Sequence, residues 1–143
     1  AQARDATPEV AAQLLRRLIG GLAGNLLRDR FGDDAAGLIV REQHQPSAAF
    51  DILYEQLMQP IQATFQRLVE RIQGDAAGDE RQRILITHAL LGQVIGFRMA
   101  RTTVLRRLGQ DTFDAADIER IAGLIADLTL NALRGDNLRT TPT

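Results

Sequence analysis

ILITHALLGQVIGFRMARTTVLRRL, residues 84–108, decides the fold of this chain. Between Ile84 and Phe97 only Thr87, His88 and Gln93 are polar. An α-helix turns by about 100° per residue, so these three point in widely separated directions. No solvent-facing stripe survives over nearly four turns. A surface helix keeps such a stripe, whereas a helix that is apolar all round is buried on every side. A chain of 143 residues does not easily bury one helix completely and still cover the others. The economical solution sets one side of this helix against the chain's own core and the other against a second copy. A homodimer is the first expectation.

The length fits one domain and suffices to bury roughly 70% of the unfolded surface without staples. Cysteine is absent, which excludes disulfides and Cys-based metal sites. No apolar run reaches the ~20 residues of a membrane span, and the opening AQARDATPEV has no signal-peptide core. The chain reads as soluble and cytoplasmic, without a membrane partner. It opens on Ala1 rather than Met, as expected of a fragment or a processed product. Seventeen basic residues stand against eighteen acidic ones, so the clustered positive excess that phosphate binding requires is missing. All seventeen are Arg, a bias that a GC-rich genome explains better than a demand for guanidinium groups.

Taken in order, Thr7-Pro8-Glu9 is a helix start, with a hydroxyl cap, Pro at the first helical position and a carboxylate in the first turn. Helical spacing continues through Gly20, Gly21 and Gly24, either permitting close approach of a neighbour or weakening the helix, and Arg28 and Arg30 suit its last turn before Gly32. Asp33 or Asp34 should cap a short second helix that stops before Pro46. Ser47 then caps a long third helix, apolar at Phe50, Leu53, Tyr54, Leu57, Met58, Ile61 and Phe65, with a kink expected at Pro60. Gly74 to Asp79 reads as a loop. The fourth helix should run from Asp79 to Leu108, and a fifth from Asp114 or Thr112 to Gly135. The apolar arc of the fifth, with Ile118, Ile121, Ala122, Leu124, Ile125, Leu128 and Leu133, is wider than a surface helix requires. The expected architecture is all-α: an antiparallel bundle of about five helices, the last two forming an intermolecular four-helix bundle. His88, Gly92 and Gly96 on the fourth helix, with Ile118, Ala122 and Ile125 on the fifth, are its expected dimer interface. Residues 1–135 form one helical domain and 136–143 a disordered tail.

Little chemistry is visible. His44 and His88 are not at ligand spacing, so no metal is expected. The lone Ser47 is better explained as a helix cap than as a nucleophile, and the acid pairs sit at helix starts where the macrodipole favours them. No catalytic residue and no cofactor is expected. What remains is a polar set within apolar helices (His44, Tyr54, Gln93, Arg98, Arg101 and His88), either pocket groups or satisfied core and surface residues.

IVREQHQPSAAFDILYEQLMQPIQATFQRLVERI followed by HALLGQVIGFRMARTTVLRRLG resembles the C-terminal domain of TetR/AcrR-type transcriptional regulators, closest to a CerR-like branch. Arg41-Glu42 with Pro46, Gln59-Pro60, Gly92-Gln93, Phe97-Arg98 and Ala100-Arg101 carry the resemblance. Phe97 stands where Tyr is common, and Thr102 where Pro is common. The resemblance implies a ligand-binding and dimerisation domain, with DNA contacted only through an N-terminal helix-turn-helix absent from this sequence. It implies a small-molecule effector held between the first, third and fourth helices, by Tyr54, Met58, Ile61, Phe65, Gln93, Phe97 and Arg101. The competing readings are a small helical dimeric enzyme of the chorismate-mutase type and a ligand-free helical interaction module.

Overall fold

The computed structural model describes residues 6–28 and 32–135 and is all-α, with no strand among the described residues. The expected tail, 136–143, and Arg30 lie outside them. Helix α1 (Pro8–Leu27) starts as its sequence dictates, with Thr7 Oγ1 accepting from the Val10 amide at 3.3 Å. It runs unbroken through its three glycines because its other side is held by packing: Ala11, Leu15, Ile19, Ala23 and Leu27 are all buried. Tertiary contacts outweigh a propensity cost of about 1 kcal/mol per glycine. The helix ends at Leu27, where Arg28 turns extended, earlier than the sequence suggests. Gly32, rather than either aspartate, caps α2 (Asp33–His44), and both acids fall inside the first turn.

Helix α3 (Ala48–Leu53) begins under the Ser47 cap, whose hydroxyl oxygen accepts from the Ala49 amide at 3.2 Å. The break expected at Pro60 takes the form of a wide turn over Tyr54–Met58 leading into α4 (Gln59–Gln73). The Gln59 amide there bonds back to the Tyr54 carbonyl, five residues away. Widening the helix just ahead of Pro60 gives the ring room and absorbs the missing amide, which an unbroken α-ladder cannot do. A short turn over Gly74–Ala77 replaces the expected loop and seats Ala77 in a buried position. Glycines at 74 and 78 take positive φ on either side of it. Gln66 donates to both Glu70 and Glu80 at 3.1 Å, and Arg83 pairs with the same two carboxylates, clasping α4 to α5.

Helix α5 (Glu80–Met99) starts at Asp79, whose carboxylate accepts from the Gln82 amide at 2.8 Å. It does not continue to Leu108. The ladder breaks at Ala100, and α6 (Arg101–Leu108) follows as a separate helix. The bend turns Leu105 into the core and sets the Arg101 guanidinium 5.9 Å from the centre of the Phe113 ring, contacts out of reach for a straight rod. No Pro at 102 is needed for it. Gly109, at φ 68°, closes α6 in the left-handed conformation. A reciprocal capping box between Asp114 and Asp117 opens α7 (Ala115–Arg134). The core forms where α1, α4, α5 and α7 pack together, around Leu15, Ile19, Leu68, Val94 and Ile125. Arg16 on α1 and Asp127 on α7 pair across its edge at 2.6 Å.

Candidate functional site

The effector-binding residues expected from sequence fall into four places. Tyr54 and Met58 bound the wide turn; the Tyr54 ring stacks on Phe50 at 6.1 Å and is 44% exposed, while the Met58 sulfur accepts a long contact of 3.6 Å from Gln43 of α2. One turn further along, Ile61 sits at the margin of the core, Phe65 is buried in it, and Phe97 packs against it from α5. Gln93 and Arg101 turn elsewhere. Gln93 is exposed on α5 and its amide lies 3.5 Å from the hydroxyl of Thr129 on α7, while Arg101 lies over Phe113, the residue before the α7 cap. Ile61, Phe65 and Phe97 thus share the core or its margin; Tyr54 and Met58 lie ahead of Ile61 on the same rod, Gln93 faces α7, and Arg101 lies over Phe113.

The six expected interface residues also divide. His88, Gly92 and Gly96 are exposed on α5. A Cβ placed on either glycine would meet no other atom of the chain within 4 Å, so their smallness serves no packing inside the protomer. Ile118 and Ile125 are buried in the chain's own core, and Ala122 packs against it from a half-buried position. They lie on the inward side of α7, because α1 and α4 occupy that side. The exposed apolar residues of α7 are Leu124 and Leu128, at 51% and 54%, one helical turn apart. On α5 their counterparts are Ile84, Leu85, Ile95 and Met99, which are 45–56% exposed. With His88, Gly92 and Gly96 they recur at the three- and four-residue spacing of a helix-pairing seam. The sequence placed Leu124 and Leu128 in the apolar arc of the last helix; which part of that arc faces outward was not written there.

Glu42 enters the sequence reading only within the Arg41-Glu42 motif, with no role of its own. It is 2% exposed, and its carboxylate accepts from the Ser47 amide at 2.9 Å and the Ser47 hydroxyl at 2.8 Å. A carboxylate five residues ahead of a capping serine is the signal that marks it. The two Ser47 hydrogen bonds hold its carboxyl below the ordinary glutamate value of 4.5, with Arg41 adding a weaker pull. A carboxyl whose folded value is lowered stabilises the fold above its unfolded value and loses that contribution as pH falls through the folded one. Glu42→Gln is accordingly expected to lower the thermal midpoint by several degrees at pH 7. The gap to the wild type should close as pH drops below 4.5, as followed by circular dichroism melts across that range. A gap that stays constant down to strong acid would remove the ionised carboxylate from the explanation.

Among the described residues no group of three or more His, Asp or Glu side chains is placed to hold a metal ion, and no helix is long and apolar enough to cross a membrane. The residues named here offer apolar and aromatic surface and one guanidinium. The family model described as "HTH-type transcriptional dual regulator CecR, C-terminal domain" matches residues 11–135. The chain is also 34% identical over 134 residues to the HTH-type transcriptional dual regulator CecR of Shigella flexneri. That alignment covers 90% of this chain and 60% of the relative, so the chain spans well under two thirds of the relative's length.

Proposed function

The chain belongs to the family of the CecR C-terminal domain, and from that premise we propose that it is the effector-sensing and dimer-forming part of a TetR-type transcriptional regulator. The observation that carries the pairing role is the seam of Leu85, Ile95 and Met99 on α5 beside Leu124 and Leu128 on α7, apolar and uncovered in the single chain. Soluble chains rarely leave such a surface to water, and a second copy related by a twofold axis covers it with itself. DNA binding falls to the helix-turn-helix that the relative's name records, in the portion this chain does not span. In a bacterium, the source of the relative, a regulator acting on DNA works in the cytoplasm.

The sensing role rests on the apolar residues Ile61, Phe65 and Phe97, with Tyr54 and Met58 ahead of Ile61 on the same rod, and on Arg101, which stands apart from them over Phe113 at the bend between α5 and α6. A guanidinium beside apolar and aromatic surface favours a ligand that joins a ring to a carboxylate or another anionic group. Binding there shifts the spacing of the two DNA-binding heads by favouring one arrangement of the helices. The experiment is a thermal-shift titration with simple aromatic carboxylates, salicylate among them. Stabilisation of the wild type is expected, with Arg101→Ala binding roughly tenfold more weakly, equivalent to about 1.4 kcal/mol. Equal stabilisation of both proteins would remove Arg101 from the site.

A further inference from the structure

Between residues 33 and 58 the chain builds helices without building core. Among the described residues of this stretch Glu42 alone is buried, and none of the apolar side chains joins the core or packs against its margin, which resumes at Ile61. Ile52 is 62% exposed, Tyr54 44%, Leu57 43% and Leu38 37%. Helix α2 packs on α3, and α3 on the wide turn that leads to α4; the packing of the bundle is among α1, α4, α5 and α7.

This stretch is nevertheless tied to itself. Glu42 takes two hydrogen bonds from Ser47, Gln43 reaches Met58 across the gap between α2 and the turn, and Phe50 stacks on Tyr54. At its junction with α4, by contrast, three features that bend helices follow one another. The turn over Tyr54–Met58 is wound too wide, Pro60 has no amide to donate, and the Thr64 hydroxyl bonds back to the Pro60 carbonyl at 2.9 Å. Each of these is a known cause of helix bending, and together they make the rod compliant where the wide turn meets Pro60.

We infer that residues 33–58 form one arm, stiffened from within by the Glu42–Ser47 latch and hinged at the wide turn before Pro60, that swings against the α1–α4–α5–α7 bundle. An element with few buried apolar contacts opens at a free energy well below that of global unfolding. The motion belongs to the fold itself and does not depend on an effector; it supplies two positions between which a bound molecule selects.

The absence of native cysteine makes the test direct. Spin labels at Asp51→Cys on α3 and Glu119→Cys on α7 report the arm against the bundle, and Arg71→Cys with Glu119→Cys reports the bundle against itself. Labelled protein is diluted with unlabelled protein so that only distances within one chain are read. The arm pair is expected to give a distance distribution about twofold broader than the bundle pair, as a sub-global motion does. Pro60→Ala restores the amide and lets the turn close to an ordinary α-turn, and should narrow the arm distribution to that of the bundle. Equal widths in the unsubstituted protein overturn the arm. A broad arm distribution that Pro60→Ala leaves unchanged overturns the hinge, and equal broadening of both pairs overturns the division between arm and bundle.

Discussion

Leu124→Glu combined with Leu128→Glu is expected to turn a particle of twice 15.7 kDa into one of 15.7 kDa, with helical content and protomer stability unchanged. Both leucines project from α7 with about half their surface in water, so neither substitution removes a core contact. In a twofold pairing of α5 and α7 each would appear twice, giving four leucines at one seam. Completing the burial of four half-exposed leucines contributes roughly 4 kcal/mol, nearly a thousandfold in dissociation constant. Four carboxylates in their place add desolvation and like-charge repulsion on top of that loss. Light scattering behind size exclusion, repeated on dilution, reads the mass directly. A double variant that keeps the doubled mass would place the pairing surface elsewhere on the chain. An unsubstituted chain of 15.7 kDa at every concentration would leave the seam without this partner.

Ile125→Ala, one position along the same helix, is expected to do the opposite. Ile125 is 1% exposed and belongs to the core of the bundle, where α7 packs on α1 and α4. Deleting its three outer carbons leaves a cavity and forfeits the transfer free energy, about 3 kcal/mol in sites of this kind. That is a large part of the 5–15 kcal/mol that holds a typical domain together. The thermal midpoint should fall by about 10 °C for a chain of this size. Urea unfolding, carried out in the Leu124→Glu, Leu128→Glu background to separate folding from association, should show a lower midpoint with an unchanged slope. Loss of association without loss of protomer stability would mean that α7 faces the other way. Successive residues on a helix point about 100° apart, which is why neighbours in sequence have such different expected effects.

The same geometry explains what could be read from the sequence about the candidate site. Phe65 and Ile61 were legible as members of an apolar series, and the structure brings both to the core with Phe97. Gln93 was legible as a polar residue in an apolar helix, but its nearest polar partner is Thr129, 36 residues away on another helix. Nothing local to Gln93 encodes that neighbour. Glu42 was given no role for a related reason: its sequence neighbours are polar, and only the return of Ser47 over it makes it a buried, satisfied carboxylate.

The helix starts at Thr7, Ser47 and Asp79 were legible in the sequence alone, and the one at Asp114 as one of two residues with Thr112, because each cap is a bond between a side chain and an amide two or three residues on. The excess apolar surface of α5 and α7 was equally a property of the sequence, since it is a count of residue types around one axis. Which side of those helices turns inward was decided only when α1 and α4 packed against them, burying Ile118 and Ile125 and leaving Leu124 and Leu128 in water. The break at Ala100 belongs to the same class, as does the burial of Glu42. Each is fixed by a contact that forms only after another part of the chain has folded back, and periodicity along a single helix carries no record of it.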